Sequence, residues 1–97
     1  MANLLPIKTR IIEYCILNDE PITAPELSKI LSQEGYNGEK TCSPKSVEKQ
    51  MLCYCRVGFM KPVGVKEING QEELLFTTTE EGKEELKYVP GHGNKMW

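Results

Sequence analysis

The chain has 97 residues, 39% of them hydrophobic and 27% charged, with a net charge of -2. Those figures describe one small globular domain and exclude a disordered tail. No apolar run approaches the roughly 18 residues of a membrane span, and no basic segment followed by an apolar stretch opens the chain, so the expected compartment is the cytoplasm.

The first periodic segment runs from Pro6 to Leu17. Ile7, Ile11, Tyr14 and Cys15 fall at i, i+4, i+7 and i+8 and form one apolar face. Ile12 and Ile16 add a second strip, leaving Thr9, Arg10 and Glu13 as the wet edge. Asn18-Asp19-Glu20-Pro21 ends the helix, because Pro21 disfavours helical geometry in the residue before it. Thr23 with Glu26 three residues on is a capping box, with Pro25 in the first turn and Ile22 placed as a hydrophobic staple. Leu27, Ile30 and Leu31 give this second helix its buried stripe, and Gly35 stops it. After a polar turn from Gly35 to Cys42, Ser43 caps a third helix with Pro44 at its first position, reaching about Val57. Its core face is Val47, Met51, Tyr54 and Cys55.

Beyond Gly58 the pattern changes to a hairpin. The runs Phe59 to Ile68 and Glu72 to Thr78 flank Asn69-Gly70, the dipeptide favoured in a type I′ turn. Val63 and Val65, extended to Ile68, alternate on the first strand, and Leu74 and Phe76 on the second. Thr79 caps a short final helix, Glu80 to about Tyr88, which Gly82 weakens. Residues 1–88 therefore form the domain and residues 89–97 a tail.

Little here suggests catalysis. The one histidine, His92, lies in a Gly-rich tail, and the one aspartate, Asp19, lies beside a turn. No phosphate-binding loop, nucleophile elbow or paired-histidine metal motif occurs. The expectation is a non-enzyme without cofactor. Cys15, Cys42, Cys53 and Cys55 lack the doubled close spacing of a zinc site. In a helix, Cys53 and Cys55 point about 200° apart, so no metal is expected and the thiols read as small packed apolar groups.

Charge is unevenly spread. Residues 1–61 are about neutral, whereas residues 62–97 are acidic, with Glu67, Glu72, Glu73, Glu80, Glu81, Glu84 and Glu85 outnumbering the lysines. On the third helix, at about 100° per residue, Lys45, Lys49 and Arg56 fall within a wedge of about 40° opposite the core face. Ser46 and Cys53 flank that wedge, and Glu48 lies off it. Lysine and arginine bind phosphates or guanine edges, and Ser46 or Gln50 can hydrogen-bond to bases. An amphipathic helix showing its charges to water would look the same.

The order of helix, helix, helix, hairpin and short helix is that of a winged helix-turn-helix, mainly α with a small β-hairpin wing. Over about residues 6–88 the chain resembles small winged-helix transcriptional regulators of the MarR and PadR kind. The stretches that carry the resemblance are Thr23–Leu31, Ser43–Val47 continuing through Met51, Tyr54 and Gly58-Phe59-Met60, and Leu75-Phe76 with Thr79–Lys83. The chain departs from the pattern in its longer turn before the third helix and in its acidic hairpin. The resemblance implies a sequence-specific regulator that inserts helix 43–57 in the major groove of double-stranded DNA. Lys45, Ser46, Lys49 and Gln50 would reach bases or phosphates, and Arg56 would hold the backbone. On the wing only Lys61 and Lys66 are placed to serve. A rival reading is a protein-interaction module whose acidic hairpin suits a basic protein partner. A third, redox sensing, would rest on an outward-facing Cys53 beside cations. Ile12 and Ile16 lie about 100–180° round from Ile7, facing away from the core, so a homodimer through the first helix and the C-terminal segment (Leu86, Tyr88, Val89, Met96, Trp97) is expected.

Overall fold

Helix α1 spans Ile7–Asn18, with Pro6 at its N-cap and Asp19 closing it in the left-handed region at φ 55°. A two-residue strand, β1 (Ile22–Thr23), leads directly into α2 (Ala24–Glu34), and α3 covers Pro44–Arg56. Strands β2 (Met60–Ile68) and β3 (Gln71–Thr78) follow, then α4 (Glu80–Glu84) and a 3-10 turn at Glu85–Tyr88. This computed structural model describes residues 4–37 and 41–88.

Local signals set these boundaries. The Thr23–Glu26 capping box is formed in full, with Glu26 N–H donating to Thr23 Oγ1 (3.4 Å) and Thr23 N–H donating to Glu26 Oε1 (3.2 Å). Gly35 ends α2 at φ 115°, a conformation that costs glycine little. Asn69 and Gly70 both have positive φ (51° and 82°), as a type I′ turn requires. Gly82, which the sequence marks only as a helix weakener, has a structural use. A Cβ there would collide with the carbonyl oxygen of Phe59, so α4 can close on the start of the hairpin only through glycine. The same junction is held by Thr79 Oγ1 donating to Gly58 O (2.6 Å).

The architecture is mixed: four helices and a three-stranded antiparallel sheet among the described residues. The expected bare hairpin gains a third strand, because Ile22 and Thr23 pair with Phe76 and Leu75, giving the order β1-β3-β2. Two residues are too few for periodicity to reveal a strand. Phe76 is fully buried and pairs with β1 on one side and with Pro62 of β2 on the other. Around it the core gathers Ile11 and Cys15 from α1, Leu27 and Leu31 from α2, Val47 and Met51 from α3, and Met60 from β2. Tyr54 and Cys55 pack partly buried at its edge.

Three expectations need correction. Ile12 and Ile16 do not face away from the core. They are 6% and 8% exposed, because α1 packs on β3, α4 and the 3-10 turn as well as on α3. Leu86 of that turn also packs on the core, so the surplus apolar strip that recommended a dimer is covered by the chain itself. Val89, Met96 and Trp97 lie outside the described residues. Second, Arg10 and Glu13 are not a wet edge. Glu34 reaches across from α2 to accept a bidentate pair from Arg10 (2.8 and 2.6 Å), and Glu13, buried, accepts from Arg10 at 2.7 Å. Arg10 also lies 5.4 Å over the Tyr14 ring. This pairing raises the guanidinium pKa and, through the Arg10 hydrogen bond, lowers that of the Glu34 carboxyl. Third, Val63 and Val65 are 47% and 57% exposed. A bulge between Pro62 and Gly64 inserts Val63 as an extra residue, and β2 beyond it is mostly exposed while Leu74 of β3 still packs at the edge of the core.

Candidate nucleic-acid interface

Helix α3 is started by Ser43, whose Oγ accepts from the Ser46 backbone N–H at 3.2 Å, with Pro44 following in the first turn. Val47 and Met51 are fully buried and fix the rotation of the helix. Lys45, Lys49 and Arg56 are exposed on the opposite side, with Leu52 beside them at 38% exposure. Among the described residues none of these three cations forms an ion pair. Glu48 is half-buried about 80° round from the centre of the strip. Arg56 lies in the last turn of the helix, where the macrodipole favours a cation.

Ser46 and Gln50, the expected base readers, are both half-buried on the side facing α1. The Ser43 hydroxyl donates to Ser46 Oγ at 3.1 Å, so Ser46 belongs to the capping arrangement. Gln50 stands beside the Tyr54 hydroxyl, which donates to the Lys8 carbonyl at 2.6 Å and ties α3 to the first turn of α1. Burial pushes the Tyr54 hydroxyl above its ordinary pKa, so it stays a donor at neutral pH.

Lys66 is not brought to this face. Its Nζ bonds Glu26 Oε2 at 2.6 Å, joining β2 to the first turn of α2, and that bond holds the Glu26 carboxyl below the usual carboxylate range. One carboxylate therefore serves both the helix cap and the hairpin. Lys61 is exposed on β2.

Between α1 and α3 lies an open groove of about 350 Å³, lined by Ile7, Lys8, Ile11, Thr41, Ser46, Lys49, Gln50 and Cys53. Lys8 and Thr41 are the contributors that the sequence did not single out. Lys8 follows directly on Ile7, the first residue of the α1 core face, which was the available signal. Cys53 borders this groove half-buried and does not stand out on the strip. Cys15 and Cys42 are buried, and burial pushes the Cys15 thiol up to about 12 and the Cys55 thiol above its ordinary value. Cys42 donates its thiol to Ser28 O (3.6 Å) while Ser28 Oγ donates to Cys42 O, fixing the segment before α3 against α2.

No helix of the described residues is long and apolar enough to cross a membrane. No family model matches the chain, and no curated protein matches its sequence.

Proposed function

We propose that this protein is a winged helix-turn-helix regulator that binds double-stranded DNA through the outer face of α3. The observation that carries this reading is the strip of Lys45, Lys49 and Arg56, exposed together and without an ion pair among the described residues. A helix of 13 residues is about 20 Å long, enough to lie in a major groove of about 12 Å width. Lys45 and Lys49 contact phosphates or base edges, and Arg56 holds the backbone. Ser46 and Gln50 contribute at the α1 side of the helix, and the sheet with its β2–β3 hairpin supplies the wing. Because Lys66 is committed to Glu26, the wing contributes little positive charge. The reading places the protein in the cytoplasm as a non-enzyme. It extends to a homodimer through the first helix and the C-terminal segment, which would offer two α3 helices to half-sites one DNA turn apart. The buried Ile12 and Ile16 no longer argue for that extension, and Leu17 is the exposed apolar residue of α1. Sedimentation tests that extension: a mass near the 11.0 kDa of one chain rejects it.

The test of the main reading is fluorescence anisotropy with genomic duplex fragments at rising salt. At least one fragment binds more tightly than random duplex, and affinity falls steeply with salt. Equal binding to every duplex contradicts sequence-specific recognition. The second reading, a protein-interaction module, is favoured by the acidic hairpin, where Glu67 stands opposite Glu72 and both are exposed. Retention of a basic partner by a Lys45→Ala/Lys49→Ala variant, with no duplex binding by the wild type, would select it.

A further inference from the structure

The groove between α1 and α3 has a composition that the DNA reading does not use. Its floor is aliphatic, with Ile11 buried and Ile7 half-buried beside it. Thr41, Ser46 and Gln50 provide hydroxyl and amide groups on its walls, and Lys8 and Lys49, both exposed, approach it from opposite helices. Among the described residues, no carboxylate and no aromatic ring lines it. At about 350 Å³ it lies at the small end of ligand pockets, which run from about 300 to 1,000 Å³. An apolar floor beneath two cations and several neutral donors complements a molecule with one anionic end and an apolar body. With isoleucines and no ring among the described lining residues, the floor suits an aliphatic chain.

The geometry points to a binding site in the α1–α3 groove for a small aliphatic carboxylate, with Lys8 and Lys49 facing its carboxylate and Ile7 and Ile11 its chain. Lys49 belongs to both the groove and the exposed strip of α3, so occupancy competes with DNA for the same ammonium group. This regulatory consequence rests on the DNA reading; the ligand site itself does not. Binding at this position requires no movement of the core, because Val47 and Met51 hold α3 from its other side.

Methyl NMR of isoleucine-labelled protein, free of DNA, tests the site with sodium hexanoate as probe and hexanamide as its neutral counterpart. Hexanoate should shift the Ile7 and Ile11 methyl signals saturably, and hexanamide should bind about tenfold more weakly, the value of one charge-assisted contact. Lys8→Met, a change at an exposed side chain, should weaken hexanoate by about the same factor. Cys53→Phe, which fills the groove, should abolish the shifts while the remaining methyl spectrum stays dispersed. Absence of saturable shifts overturns the site. So does equal binding of hexanamide, or inorganic phosphate moving the same methyl signals as strongly as hexanoate. Hexanoate binding that leaves duplex affinity unchanged overturns the competition. A protein that binds hexanoate but no duplex refutes the DNA reading and leaves the groove standing. One that binds duplex but not hexanoate does the reverse.

Discussion

The outer face of α3 and the β2–β3 hairpin both carry lysines into solvent, and the fold treats the two sets differently. On α3, Lys45 and Lys49 share a strip with Arg56 and meet no acid among the described residues. On the hairpin, Lys66 stands opposite Glu73 in the strand register and is bonded to Glu26 of α2, while Glu67 faces Glu72. Lys66 is thus paired internally, whereas Lys45 and Lys49, like Lys61 of β2, are exposed without an ion pair among the described residues. A net charge of -2 conceals this, because recognition depends on which charges share a face.

The two elements also differ in how much of the core depends on them, and the largest effect comes from there. Phe76→Ala, at the buried inner end of the sheet, should cost about 3–5 kcal/mol in chemical denaturation. Val65→Ala, beyond the bulge, should stay within about 0.5 kcal/mol. Similar losses from both would mean that the hairpin is integral to the core along its whole length.

Removing the clamp that positions α1 on α2 comes next. Arg10→Ala should cost about 2–3 kcal/mol near neutral pH, since it removes both hydrogen bonds to the Glu34 carboxylate and one to the buried Glu13. Because Arg10 lowers the Glu34 pKa in the folded state, this contribution is complete above the unfolded value near 4.5 and is lost as pH falls through the lower folded value. Wild-type stability should therefore decline across that acid range, and the variant should decline less. Parallel pH profiles would show that the clamp contributes nothing.

The smallest effect belongs to the hairpin surface. Glu72→Lys replaces a like-charge cross-strand pair by an opposite one and should raise stability by about 0.2–1 kcal/mol, measured at low salt. A loss of stability would show that the facing carboxylates do not repel.

What was legible in the sequence follows the same division. Thr23 with Glu26, Ser43 with Pro44, Asn69-Gly70 and Thr79 each act over a few residues, and each marked its element boundary correctly. The angular position of Lys45, Lys49 and Arg56 was also legible, because helical geometry alone sets it. The interactions that the sequence hid join distant segments: Arg10 to Glu34, Lys66 to Glu26, and Ile22 to Phe76. Burial of Ile12 and Ile16 belongs with these, since it depends on β3, α4 and the 3-10 turn arriving on α1 from the far end of the chain. The structural use of Gly82 was hidden for a related reason, since it lies in how closely Phe59 approaches it.

The most direct test of the account is the salt dependence of duplex binding by three proteins: wild type, Lys45→Ala/Lys49→Ala, and Lys66→Ala. Each phosphate contact contributes about 0.9 to the slope of log affinity against log salt. The double variant should therefore lose about 1.8 from the wild-type slope, while Lys66→Ala keeps it. If Lys66→Ala flattens the slope and the double variant does not, the hairpin and not α3 is the surface that meets DNA.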